Sequence, residues 1–340
     1  MKSSTVRRLE PVPADGAPPR MKSIVHTKYG SSRGVELREV ETPSITDEQV
    51  LVRVHASSVN PAEWYGVMGP FFARPGNGLL RPKSSKVGAD LAGRVVAVGK
   101  DVTELTPGDE VFGTGAGAWA EYAAAREVRL VKKPSNVSFE EAGCVPIAAL
   151  TALQGLRDHG NVQPGQKVLI NGASGGVGSY AVQLAKHFGA DVTAVCSTNN
   201  VRTAEESGAD RICNYKEQDF TRSGVRHDLM LDIAGSRPFR QFARVLTPDA
   251  TVVIIGGKMN KGLGPLPHVG ATWLSGRFRS QKLKFFVAKI DKGDLLLMQE
   301  LLASRKVKSV IDRSYELDRV PEALDYLGEG HARGKIVITV

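Results

Sequence analysis

The sequence predicts an α/β protein in which a doubly wound parallel sheet is joined to an antiparallel, barrel-like β domain. Three observations carry that expectation. Residues 167–178 read as a buried strand, a glycine-rich turn and the start of a helix. From Asp191 to Gly256, short apolar strands alternate with helical segments. From Met21 to Tyr122, short strands and turns follow one another.

The central stretch is the most informative. Val168, Leu169 and Ile170 form the apolar, β-branched run of a parallel strand buried on both faces. Gly175, Gly176 and Gly178 remove side chains where the backbone must turn and approach a ligand. Val177, Ala181, Leu184, Ala185 and Phe188 then share one helical face, and Gly189 is a C-terminal stop. The spacing is A-x-G-x-x-G, beginning at Ala173. Alone it is a weak signal, and a turn that binds nothing is the alternative. The strand before and the helix after supply the context that points to a dinucleotide, its pyrophosphate on the helix N-terminus. Ala173, Ser174, Gly175, Gly176 and Val177 are the candidate cofactor turn.

The end of the second strand selects the cofactor. NAD-binding units place an acid there to accept from the ribose hydroxyls. Here Cys196 is followed by Ser197, Thr198, Asn199, Asn200, Val201 and Arg202, with no acid before Glu205. Hydroxyls, amides and an arginine suit a 2′-phosphate that a carboxylate would repel. This predicts NADPH over NADH. The competing reading of Ser197–Arg202 is a polar loop with a helix cap.

With 340 residues the chain is long enough for two domains, and no apolar run is long enough to span a bilayer. Cys144, Cys196 and Cys213 have neither disulfide nor metal spacing, which points to a reducing compartment and a cytoplasmic location. The formal net charge is +9; residues 1–20 hold four basic and two acidic groups, so the body keeps +7. That excess suits an anionic ligand such as a phosphorylated dinucleotide. It also leaves open nucleic acid or an anionic membrane surface, with Arg277, Arg279, Lys282 and Lys284 as the patch and a solvated face as its bland reading.

In chain order, residues 1–20 are Pro-rich and are expected to be disordered, with no apolar segment of the kind a secretory signal needs. Strands are predicted at 22–26, 34–40, 48–58, 91–98 and 109–112, with Asn60-Pro61 ending the third. Residues 70–88, rich in Gly, Pro and Ser, form a long loop of the sort that often carries function. Helices are expected at 139–149 and 150–159, and after the central unit at 200–207 and 239–245. A strand-like run at 284–288, a helix at 292–304, another at 320–327 and a strand at 335–340 follow.

Spread in order through the chain are Gly88-Ala89-Asp90-Leu91-Ala92-Gly93-Arg94-Val95, Val98-Gly99, Gly108-Asp109-Glu110-Val111, Ala120-Glu121-Tyr122, Leu150-Thr151-Ala152, Ala173–Gly178, Ala190-Asp191 and Gly334-Lys335-Ile336-Val337. Together they resemble the medium-chain dehydrogenase/reductase superfamily, in particular its zinc-free quinone oxidoreductase branch. The resemblance implies a GroES-like β-barrel domain from residues 21–147 and 284–340, and a Rossmann NADPH-binding domain from 148–283, with the active site between them. It implies that nicotinamide lies near Asn60 and Thr151, that Tyr215 borders the 2′-phosphate, and that Gly256 and the run Phe285-Phe286-Val287 flank the nicotinamide. A homodimer is one possible assembly, and the sequence does not give the oligomeric state. Read without the resemblance, Asn60 is a turn residue, Thr151 a helix residue and Tyr215 a packed aromatic.

Zinc-dependent relatives place Cys and His where this chain has Ser57-Ser58-Val59-Asn60, Gly88-Ala89-Asp90 and Gly113–Gly117, so no metal is expected. The resemblance then implies metal-free hydride transfer from NADPH to a small-molecule electrophile, a quinone or an α,β-unsaturated carbonyl. Phe71, Phe72 and Trp64 are candidates for an apolar wall. A second reading is an enoyl or enone reductase with a tyrosine proton donor, for which Tyr65 is the candidate although it is off the family's register. A third is an NADPH-binding regulator that binds nucleic acid through the basic residues near Arg277.

Overall fold

The computed structural model describes residues 17–257, 259, 262–276 and 280–340. Most of the N-terminal tail, and Arg277 and Arg279 of the basic run, lie outside the described residues.

Arg20–His26 (β1) and Val35–Glu41 (β2) pair as an antiparallel ribbon. Gln49–Val59 (β3) is the long strand of the next sheet, and its alternation buries Val50, Val52 and Val54 in one cluster and Leu51 in another. Pro61–Met68 (α1) starts at its proline, whose fixed φ and missing N–H suit the first helical position. Arg74–Asn77 (α2) lies in the long loop. Asp90–Val98 (β4), Glu110–Thr114 (β5), Tyr122–Arg126 (β6) and Leu130–Lys132 (β7) complete an antiparallel set around β3 and β4.

The helix expected from 139 to 149 divides into Phe139–Gly143 (α3) and Pro146–Gln154 (α4). Pro146 has no N–H to continue the first helix and instead opens the second.

The central unit runs Lys167–Asn171 (β8), Gly176–His187 (α5), Asp191–Cys196 (β9), Val201–Glu206 (α6) and Arg211–Asn214 (β10). His227–Asp232 (β11), Phe239–Phe242 (α7), Leu246–Ile254 (β12), Leu266–Gly276 (α8) and Lys282–Phe285 (β13) follow. The strands form one parallel sheet in the order β10-β9-β8-β11-β12-β13. α5 buries Tyr180, Ala181, Leu184 and Ala185 against it. Its end is closed as the sequence predicts: Gly189 has φ +79°, its N–H donates to the Lys186 carbonyl at 3.0 Å, and the Ala190 N–H donates to that of Ala185 at 3.0 Å.

The predicted hand-back at residue 284 is corrected. Lys284 and Phe285 still pair in parallel with Val253 and Ile254 of β12. Lys282 and Lys284 are exposed on that edge strand, so an edge strand with charged side chains disguised the end of the sheet. Lys292–Ala303 (α9) then packs on α4 and β7. Ile311–Glu316 (β14), Val320–Gly328 (α10) and Lys335–Thr339 (β15) return the chain to the first sheet. There β15 lies between β14 and β3, parallel to one and antiparallel to the other. The parallel sheet and the mainly antiparallel one make this a mixed α/β fold.

Candidate active site

The site is built where the two sheets meet. Asn60 ends β3 and precedes α1. Its backbone N–H donates to Glu63 Oε2 at 3.0 Å, which caps the helix. Its buried side chain makes bonds away from the helix. Asn60 Nδ2 donates to Asp90 Oδ2 at 2.8 Å, and Lys335 Nζ donates to Asn60 Oδ1. Both polar ends of the amide are therefore committed, and its orientation is fixed.

Asp90, at the start of β4, is wholly buried. Its Oδ2 also accepts from Ser58 Oγ at 2.6 Å, and its Oδ1 from the Ile147 N–H at 3.0 Å. Ile147 is one turn before Thr151 on α4, whose Oγ1 donates to the Ile147 carbonyl at 2.6 Å. Asp90 thus links Asn60 to the helix that carries Thr151. Lys335 Nζ stands 3.6 Å from Asp90 Oδ2 and balances the buried charge. Glu63 shares this environment. Its Oε1 is sealed from solvent with no hydrogen-bond partner, and burial, reinforced by the charge of Asp90, pushes its pKa up to about 7.

The glycine turn faces this cluster. A Cβ on Gly176 would lie 2.9 Å from Lys335 Cδ, so the lysine stem runs beneath the N-terminus of α5. Gly178 is required by the fold, since a Cβ there would stand 2.1 Å from the Gly172 carbonyl oxygen. Gly175 is different: a Cβ there meets nothing closer than 3.9 Å. The chain does not need a glycine at 175 to fold, and the open space above it fits a pyrophosphate approaching the backbone. The residues present therefore fit a nicotinamide dinucleotide, which supplies hydride chemistry when bound.

The predicted polar loop converges on the same turn. Asn200 Nδ2 donates to Ser174 Oγ at 2.9 Å and to Ser197 Oγ at 3.1 Å. Asn214 Nδ2 donates to Thr198 Oγ1 at 2.9 Å. Tyr215 is half exposed, with the Lys216 ammonium 5.6 Å from its ring centre. Asn199 is exposed. Arg202 is not part of this cluster's bonding: its Nε pairs with Glu206 Oε1 at 2.8 Å on α6. Gly256 follows β12, its N–H donating to the Asp232 carbonyl. Phe286 stacks on His159 with ring centres 4.1 Å apart, so its ring is engaged inside the parallel-sheet domain. Tyr65 lies edge-on to Trp64 and Phe72, at 5.1 and 5.3 Å, and Gly264 before α8 packs against Tyr65 and Phe72.

Two groups escaped the sequence reading. One is the buried set Ser58, Glu63, Asp90 and Lys335; the Asn60-x-x-Glu63 spacing and a lysine ahead of the apolar Ile336-Val337-Ile338 were its visible signals. The other is a pair at the end of β11, where His268 Nε2 lies 2.6 Å from Asp232 Oδ2. No spacing in the sequence links them. The cysteines are buried, and burial pushes the Cys144 thiol up to about 12 and that of Cys196 up to about 11, far from a nucleophile's range.

The donor set does not fit zinc. Ser57, Ser58, Asn60 and Asp90 stand where thiolates and imidazoles would be needed, and the described residues hold no group of three or more His, Cys, Asp or Glu placed around one point.

Comparison with known proteins agrees with this architecture. Residues 46–135 match the alcohol dehydrogenase GroES-like domain, and residues 207–338 match the zinc-binding dehydrogenase family. A chloroplast envelope quinone oxidoreductase homolog of Arabidopsis thaliana is 33% identical, covering 94% of this chain and 98% of the relative. An NADPH-dependent alkenal/one oxidoreductase, chloroplastic, of the same plant is 31% identical over 96% of this chain and 82% of its own. Among solved structures, the quinone oxidoreductase from Coxiella burnetii superposes with a TM-score of 0.82 at 28% identity, covering 94% of this chain and 99% of that one. With a GroES-like segment, a doubly wound sheet and full-length relatives of this kind, the chain belongs to the medium-chain dehydrogenase/reductase superfamily as a quinone oxidoreductase-like enzyme that uses a nicotinamide dinucleotide.

Proposed function

We propose that the protein transfers hydride from NADPH to a quinone or an α,β-unsaturated carbonyl without a metal. The observation that carries this is the fully anchored Asn60 amide facing an open glycine turn, in a site whose donor set does not suit zinc. The names of the relatives, quinone oxidoreductase and alkenal/one oxidoreductase, support the two acceptor classes. Both are electrophiles that accept hydride directly, so the chain's task is orientation: Asn60 and Thr151 position the nicotinamide end while Ala173–Val177 hold the pyrophosphate. Lys335, beneath the turn, adds a cation near those phosphates.

The preference for NADPH rests on Ser174, Ser197, Thr198, Asn200 and Asn214, a set of hydroxyls and amides with no carboxylate among them, and on Lys216 beside Tyr215. Arg202 reaches a phosphate there only by releasing Glu206. The edge of β13, with Phe285 and Val287 exposed, offers a surface for a homodimer. Loss of NADPH absorbance with a panel of quinones and enones tests the proposal. Turnover on either class with NADPH preferred is the expected result; no turnover on any acceptor overturns it.

A further inference from the structure

The sheet order reverses between β8 and β11, and ligands of such sheets bind outside the carboxyl ends of the strands at that point. The last residues of these two strands, Asn171 and Asp232, are register partners. Asn171 Nδ2 donates to Asp232 Oδ1 at 2.7 Å, and the Gly235 N–H donates to the same oxygen at 3.1 Å. The other oxygen, Oδ2, holds His268 Nε2 at 2.6 Å. The carboxylate is 1% exposed and the imidazole 14%. An ionised carboxylate only accepts, so Nε2 carries a proton and Nδ1 is left as the exchangeable atom.

The ring is given room at the site. Gly235 and Gly257 follow β11 and β12, and a Cβ on Gly235 would fall 3.1 Å from His268 Cδ2. The imidazole therefore lies over the second half of the doubly wound sheet, the half that takes the nicotinamide mononucleotide when the first half takes adenosine. The loop just before α8 also reaches the other domain, since Gly264 packs on Tyr65 and Phe72. Among the described residues, the charged groups on α7 and β13, which pack against α8, are Arg240, Lys282 and Lys284; Asp232 of β11 is the one bonded to the ring.

We infer that His268, oriented by Asp232, is the proton donor to the reduced acceptor. This rests on the hydride-transfer reading above. Hydride carries two electrons from NADPH to the acceptor, leaving a hydroquinone monoanion or an enolate. The imidazolium gives its Nδ1 proton to that anion, yielding hydroquinone or saturated ketone, and is reprotonated from water. The Asp232 carboxylate stabilises the imidazolium before transfer and keeps Nε2 protonated afterwards.

The test uses the full chain, NADPH, a water-soluble benzoquinone and methyl vinyl ketone. His268→Gln keeps an amide donor for Asp232 and removes the proton to be transferred. Its kcat is expected to fall about 100-fold, the lower end for a lost general acid. The NADPH Kd, read by fluorescence, and the melting temperature should stay at wild-type values. Without cofactor, the ¹⁵N spectrum of the neutral His268 ring should show the Nε2–H tautomer, and Asp232→Asn should abolish that preference. A variant with wild-type kcat overturns the inference, as does one that loses NADPH binding or melting temperature in step with activity. Failure of the wild type to turn over either acceptor is a different result: it removes the hydride-transfer reading itself.

Discussion

Lys335 Nζ lies 3.6 Å from Asp90 Oδ2, with both side chains removed from water. The pair closes the space between the catalytic sheet and the glycine turn. Removing one partner leaves the other buried without compensation. Asp90→Ala is therefore expected to cost about 3–5 kcal/mol of stability, measured by urea unfolding at neutral pH. An unchanged midpoint would show that the lysine finds another partner.

The two glycines of the turn separate ligand binding from folding. Gly175→Ala should fold with an unchanged melting temperature and bind NADPH more weakly, because the space it fills is open in the protein. Gly178→Ala should lose about 1–3 kcal/mol or more, as overpacking does, because its Cβ meets the Gly172 carbonyl. Thermal melts and NADPH fluorescence titrations distinguish them; equal losses of stability would contradict the assignment.

Glu63 makes stability pH-dependent. Its pKa rises from 4.5 to about 7 on folding, so the folded state binds the extra proton between those values. The stabilising contribution is present in full below 4.5 and is lost as pH rises through about 7. Above that, the ionised carboxylate costs about 3 kcal/mol relative to the unfolded chain. Glu63→Gln keeps an acceptor for the Asn60 N–H, so it should be more stable than wild type at pH 8 and lose that gain in acid. Unfolding curves at several pH values check this; a constant difference across pH would refute it.

Cofactor choice should turn on Ser197. Ser197→Asp places a carboxylate beside Ser174 and Asn200, where the proposal puts the 2′-phosphate. A lost charge-assisted hydrogen bond is worth about 1.5–3 kcal/mol, so the KM for NADPH should rise roughly ten- to hundredfold. NADH kinetics should change little. A parallel rise for both cofactors would place the 2′-phosphate elsewhere.

What the sequence made legible follows from how local each signal is. The strand–turn–helix unit, the stop at Gly189 and the end of β3 at Asn60-Pro61 depend on neighbours in the chain, and all three stand where expected; the helix that opens at Pro61 lies outside the sequence reading. Asn60 and Thr151 were named from the resemblance, but the carboxylate that joins them was not, because Asp90 meets them only through tertiary packing. The His268–Asp232 contact spans 36 residues with no periodic pattern to announce it. The end of the parallel sheet was misplaced because Lys282, Lys284 and Phe285 are exposed on an edge strand, and periodicity reports burial.

Lys335 bonds Asn60 across 275 residues, from a strand inserted between β14 and β3. Every other strand of that sheet leaves the ribosome before β15 does. Until then residues 56–59 of β3 have no neighbour on that side, since β6 pairs only with 49–53; Asp90 has no counter-ion and the turn at Gly176 has no floor. The parallel sheet can form earlier in synthesis, domain by domain. The complete site therefore waits for β15, and a cofactor meets the full set of Asn60, Asp90 and Lys335 only after that strand has closed the sheet.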